Sequence, residues 1–300
     1  MRDWDLVGVP YTSMARPGGI AEAIGVLRAA GLVDRLDPSR VHDAGDLRLD
    51  PPDGVRGASG LLNERALVRL VAATREAVLA SHARGRLPLL VGGDCPVLLG
   101  PLAAIRDEGA TPGLLMFDGH EDAWSPARSG TGEASDSEVA IAIGTVSERL
   151  PPPLDTLAPF VDPAHVALLG PRDADELAGA GEPSIREQVG CFFDDRECRR
   201  AGPEPSTEAA LLAIGEAAFW LHVDLDVLAT EAFAAVDYPQ PGGLTWHELD
   251  SAVALAVAQP ACRGASVAIY NPDRDPDRSA AIRLVSFLAT MMGAGRGPES

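Results

Sequence analysis

Six short apolar runs alternate with Ala-, Leu- and Arg-rich stretches along this chain, and that alternation limits the folds open to it. The runs are "LVGVPY" (6–11), "RLPLLVGGD" (86–94), "GLLMFDGH" (113–120), "HVALLGPRD" (165–173), "FWLHVDLDVL" (219–228) and "GASVAIYNPD" (264–273). Runs of this length and composition read as strands buried on both faces. The intervening segments 20–31, 62–84, 97–108, 138–148, 207–217, 246–258 and 278–291 read as helices. In the second of these, Leu67, Leu70, Val71, Val78 and Leu79 recur at three- and four-residue spacing, which sets them on one helical face. Strands alternating with helices predict βαβ units and an α/β fold with a mostly parallel sheet. No long Pro/Gly/Ser linker interrupts the 300 residues, so a single domain over 1–300 is expected.

Composition narrows the function classes. At 46% hydrophobic content the chain can bury a full core. No stretch approaches the roughly 18 uninterrupted apolar residues of a membrane span, and the N-terminal "MRDWDLVGVPY" is too short and too acidic in its apolar part for a signal peptide. Cys95, Cys191, Cys198 and Cys262 are too few and too scattered for a disulfide framework. A cytoplasmic location with reduced thiols is the expectation. The formal charge of −19 argues against nucleic-acid and membrane partners and favours cationic small molecules or metal ions.

Polar chemistry gathers where the strands end. Asp118, His120 and Asp122 in "MFDGHED", and His222, Asp224 and Asp226 in "HVDLDVL", stand at i, i+2 and i+4. An extended chain would put each set on one face. Four aspartates gathered at one sheet edge repel each other unless a cation lies between them, and carboxylates with imidazole suit Mn²⁺, Fe²⁺ or Zn²⁺. In "GGDC", Cys95 follows two glycines that end a strand. It reads either as a further donor or as a small buried side chain that fills space.

Taken in order, these segments resemble the ureohydrolase (arginase/agmatinase) family over nearly the whole chain. "GVPYTSMARPGGIAEAIGVLRAAGL" is similar to the family's N-terminal strand and Gly-rich loop; "GGDC" stands for GGDH, "DGHED" for DAHxD, "LLGPRDADE" for GLRDVDxxE, "DLDVL…PGGLT" for DxDxLDP…PGGLT, and "YNPDRD" for the closing NPxxD. The resemblance implies a three-layer αβα sandwich around an eight-stranded sheet. It also implies two Mn²⁺ per chain and hydrolysis of a guanidinium or amidine C–N bond by a hydroxide held between the ions. Carried over by position, Asp118 and Asp224 would bridge both ions, His120 and Asp226 would complete one site, and Asp122 with Cys95 the other. Homotrimers or homohexamers are common in the family.

The departures from the family pattern matter as much. A thiolate at Cys95 would favour Zn²⁺ or Fe²⁺, while a thiol would leave that site weak. A biosynthetic branch of the family that acts on Nω-hydroxy-arginine also carries cysteine there, which makes a modified arginine a candidate substrate. Counting 13 residues past Asp122, the family's proton-shuttling histidine is replaced by Ser135, and its guanidinium-facing glutamate by Ile269. His222 and Glu133 are the candidate replacements for acid/base work. Trp124 and Tyr238 would narrow the pocket mouth, and Asp175 matches a position that contacts the substrate's amino group. Three readings follow: an amidinohydrolase, a non-catalytic or single-metal binding protein on the same scaffold, and a formimino-compound hydrolase.

Overall fold

The computed structural model describes residues 2–146 and 150–293. Its centre is an eight-stranded sheet made of β1 (Trp4–Gly8), β2 (Val41–Asp46), β3 (Leu87–Val91), β4 (Pro112–Phe117), β5 (Val166–Leu169), β6 (Cys191–Phe193), β7 (Ala218–Asp224) and β8 (Cys262–Ala268). The spatial order is β2-β1-β3-β8-β7-β4-β5-β6, and every pairing is parallel. The helices are α1 (Ala23–Ala29), α2 (Glu64–Ala83), α3 (Leu99–Asp107), α4 (Glu138–Ile143), α5 (Leu154–Leu157), α6 (Ala174–Ala180), α7 (Asp195–Ala201), α8 (Pro203–Ile214), α9 (Trp246–Val257) and α10 (Ser279–Met291).

Alternate strand residues serve two separate cores. Leu89, Val91, Leu115, Phe117, Ala167 and Leu169 pack with α1, α8, α9 and α10. Leu90, Leu114, Met116, Val166 and Leu168 pack with α2, α3 and α4 on the other face. Helix–sheet–helix layering follows, because the inner strands are apolar on both sides and each face must be covered. Capping boxes start α7 (Asp194 with Glu197) and α9 (Thr245 with Glu248), satisfying donors that the first turn leaves open.

All six expected strands form, but each ends before its apolar run does. β4 stops at Phe117 and β7 at Asp224. Two further strands have no apolar run to mark them. β2, "VHDAGD", and β6, "CFF", are the two outer strands of the sheet. An edge strand is covered less completely, so its sequence lacks the continuous apolar signal; β2 alternates between exposed and covered positions. The helix expected at 138–148 ends at Ile143, and its residues 147 and 148 lie outside the described residues. The short α5, α6 and α7 carry too few turns for a periodic signature.

Candidate active site

The acidic residues meet at the carboxyl edge of the four central strands. β3, β8, β7 and β4 are neighbours in that order, so segments distant in sequence end side by side, where open parallel sheets hold their ligands. After β3 the chain turns through Gly93 at φ +75, and a Cβ there would lie 2.6 Å from the Val9 carbonyl oxygen. Only glycine fits that close approach. The turn delivers Asp94, whose Oδ2 accepts from the Ser13 N–H at 2.8 Å, and then Cys95, which is 1% exposed.

The convergence of Asp118, His120 and Asp122 comes from a loop, not from the pleat expected of an extended strand. The His120 N–H folds back onto Asp118 Oδ1 at 2.7 Å, and Asp122 adopts φ +45. After β7, the Asp226 N–H donates likewise to Asp224 Oδ1 at 2.7 Å, and Gly119 N–H donates to Asp226 Oδ1 at 2.9 Å. In Asp118, Asp224 and Asp226 one oxygen is thus fixed by backbone and the other is directed at the cluster. Asp118 Oδ2 is buried without a partner. Asp224 Oδ2 accepts from the Cys95 thiol at 2.9 Å, and Asp226 Oδ2 lies 2.9 Å from His120 Nδ1.

Three overlapping donor groups result: Cys95, Asp118, Asp122 and Asp224; Asp118, His120 and Asp226; and Cys95, Asp118 and His222, with donor atoms in each within 4.8 Å of one another. Asp118 is common to all three. Preorganised, largely dehydrated carboxylates with imidazole and sulfur form a donor set that fits a pair of divalent cations.

A cavity of about 490 Å³ opens onto these groups. Its walls carry the carboxylates of Asp94, Asp122, Glu133, Asp136, Asp173, Glu176, Asp224, Asp226 and Asp237, and a single imidazole, His120. No arginine lines it among the described residues, and the chain has no lysine. Trp124, Glu133, Ser135 and Tyr238 all face this cavity, as does Ile269.

Of the expected site residues, Asp175 lies outside the cavity lining, and His222 is buried beside the donor cluster. Asp175 is exposed in the first turn of α6. Asp173 and Glu176, three apart around the start of that helix, take the cavity wall instead. His222 is fully buried within β7 and is absent from the cavity lining. Its Nδ1 pairs with Ser266 Oγ at 2.7 Å, Nε2 is buried without a hydrogen-bond partner, and one ring nitrogen lies within 4.8 Å of donor atoms of Cys95 and Asp118. Burial lowers its pKa to about 3, which favours the neutral imidazole.

A model of the arginase family matches residues 2–293. The chain belongs to the arginase family. Arginase from Bacillus caldovelox is 27% identical over 302 residues, covering 98% of this chain and 99% of its own length. The solved structure of B. caldovelox arginase superposes with a TM-score of 0.84 at 26% identity, covering 98% of this chain and 99% of that one. Formimidoylglutamase from Bacillus subtilis shares the fold at a TM-score of 0.73 and 20% identity, covering 98% of this chain and 87% of that one.

Electrostatics in this arginase-family site are dominated by desolvation of acids. Burial, reinforced by Asp94, Asp136 and Asp237, raises Glu133 to about 7. Burial raises Asp94 and Asp173 to about 6. Cys95 is pushed well up by burial and then by Asp224. Asp226 alone among the clustered acids is lowered: burial opposes ionisation there, and the His120 charge with its hydrogen bond outweighs it.

One buried acid gives no signal in the sequence. Glu138 opens α4 in "SDSEVAIAI", where a glutamate reads as an ordinary first-turn acid. It is 0% exposed and stands beside Asp122. Only the three-dimensional packing of α4 against the Asp122 loop reveals it.

Proposed function

We propose that this chain is a metal-dependent amidinohydrolase cleaving a C–N bond of a cationic guanidino or amidine compound. The observation that carries the reading is the meeting of donor groups through the buried Asp118, with Cys95, His120, Asp122, Asp224 and Asp226 of those groups lining an acid-walled cavity. Asp118, Asp122, Asp224 and Cys95 would hold one cation, and Asp118, His120 and Asp226 the other, with Asp224 bridging as the family resemblance implies. Two bound Mn²⁺ would supply an acidified water and stabilise charge developing at the amidine carbon.

The chain's own residues do the rest. The acid walls draw in a cationic ligand and repel an anionic one. Ser129 and Thr131, the hydroxyls that could greet a carboxylate at the mouth, both donate to Asp136. The preferred substrate therefore carries a neutral or cationic group at the end remote from its guanidine. That preference disfavours both an arginine-like amino acid and a formimino derivative of glutamate. Glu133, on the cavity wall with a pKa near neutrality, holds and releases the proton that the leaving nitrogen needs. Trp124 and Tyr238 narrow the approach, and the location of the reaction is the cytoplasm.

A second reading, binding without turnover, is favoured by one observation: Ile269 gives an apolar wall where a family glutamate would pair with the guanidinium. Release of urea or ammonia from a panel of guanidines and amidines, with Mn²⁺, Fe²⁺ or Zn²⁺ added, separates the two. Turnover of carboxylate-free guanidines is expected. No turnover with any metal, together with thermal stabilisation by one compound, would establish the binding protein instead.

A further inference from the structure

We infer that His222 supplies, through Nε2, an imidazole ligand to the cation on the Cys95 side of the candidate metal centre. The inference rests on the metal-dependent reading above and adds a ligand that the family resemblance does not carry over to this chain.

Geometry brings the ring to the cluster. Cys95, Asp118 and His222 offer donor atoms that all lie within 4.8 Å of one another, and all three residues are buried. The two ring nitrogens are treated differently. Nδ1 pairs with Ser266 Oγ at 2.7 Å, whereas Nε2 is buried with no hydrogen-bond partner. Ser266 stands opposite His222 where β8 pairs with β7. Its Oγ also accepts from the Trp220 indole N–H at 2.8 Å. An indole can only donate, so Ser266 Oγ keeps its second lone pair for the His222 Nδ1–H, and that tautomer leaves Nε2 a bare lone pair. A metal-ligating histidine is held in this way, with one nitrogen anchored to a fixed partner and the other free.

The cluster holds a second orphan. Asp118 Oδ2 is buried without a partner, and it too is an acceptor when the carboxyl is ionised. Two buried acceptors cannot satisfy each other. The Cys95 thiol proton does not serve them, because it is directed at Asp224 Oδ2 at 2.9 Å. Buried polar atoms are paired, hydrogen-bonded or bound to metal, and one cation beside Cys95 answers both orphans. Sulfur, imidazole and carboxylate together make a donor set of the Zn²⁺ type. The Cys95 side should therefore take Zn²⁺ in preference to Mn²⁺.

Calorimetric titration of the metal-free full chain with Zn²⁺ and, separately, with Mn²⁺ tests this in the wild type and in His222→Asn. The asparagine amide can keep the Ser266 contact in place of Nδ1 while removing Nε2. One of two Zn²⁺ equivalents should weaken by about tenfold or more, the other should hold its affinity, and the preference for Zn²⁺ should shrink. If His222→Asn binds both equivalents as the wild type does, His222 is no ligand and this inference alone falls. Nitrogen NMR of the histidine-labelled wild type needs no variant and decides the matter if His222→Asn fails to fold. Two equivalents of Zn²⁺ should shift the Nε2 signal of the buried imidazole as well as the signals of His120. An unmoved His222 signal in metal-loaded protein would overturn the ligand role. Failure of the wild type to take up any divalent cation would overturn the proposed function itself.

Discussion

The Cys95 thiol donates to Asp224 Oδ2 at 2.9 Å, so a residue following β3 meets the last residue of β7 across the end of β8. This contact occupies the oxygen of Asp224 that its own turn leaves free. A cation on this side must displace the thiol proton or compete with the contact. We expect the Cys95 side to be the looser of the two sites for Mn²⁺. Replacing Cys95 with histidine should tighten it, and Asp224→Asn should abolish metal retention. Metal content by plasma emission after dialysis checks both. Equal tight loading of two Mn²⁺ in the wild type and in Cys95→His would refute the first expectation.

Glu133 is expected to carry the proton. Glu133→Gln should lower kcat by roughly 10²–10⁴-fold, the usual contribution of a positioned acid or base. Bound metal should stay at the wild-type level, because Glu133 belongs to none of the donor groups. The limb of the pH–rate profile that titrates near neutrality should disappear. An unchanged profile in the variant would assign that role elsewhere.

Metal removal should invert the pH dependence of stability. Asp94 and Asp173 sit at about 6 and Glu133 at about 7, all raised by burial above ordinary carboxylate values. Between about pH 4.5 and 7 the folded chain therefore holds more protons than the unfolded one at these groups, and stability falls as pH rises through that window. His222, lowered to about 3, acts oppositely: its contribution is full above its unfolded value of about 6.5 and is lost as pH falls toward 3. Three raised acids outnumber one imidazole, so metal-free protein should melt higher near pH 5 than near pH 7.5. With saturating Mn²⁺, whose binding needs deprotonated donors, the order should reverse. Melting curves with and without a chelator at both pH values decide it.

Gly93→Ala should cost stability and metal together. A left-handed conformation costs a residue with a side chain about 1–2 kcal/mol, and the added Cβ would lie 2.6 Å from the Val9 carbonyl oxygen. Relief requires the turn to move, and Cys95 would move with it. Denaturant unfolding and Mn²⁺ titration of the variant should both register the change. Wild-type values in both would show that the turn tolerates the side chain.

Legibility in the sequence followed burial on both faces. The six inner strands announced themselves as unbroken apolar runs, whereas β2 and β6, at the sheet's edges, did not. Asp118, His120, Asp122, Asp224 and Asp226 stood out because charged residues directly after apolar strands need a reason. Asp175 and Asp173 show the opposite case: both are acids of one "RDADE" segment, and only the way the chain enters α6 decides that Asp173, just before the helix, lines the cavity while Asp175 in its first turn is exposed. His222 shared its spacing with Asp224 and Asp226, yet β7 continues to Asp224 and keeps the imidazole inside the sheet.

By itself, the order of apolar runs and acid-bearing turns determined an α/β chain with chemistry at the strand ends, because periodicity and the cost of buried charge are local properties. Tertiary structure alone decided which acids meet. The Cys95–Asp224 contact joins segments 129 residues apart, and the placement of Glu138 against Asp122 depends on where α4 docks. Chain crossover and helix phase set such meetings, and neither is written in any short stretch of sequence.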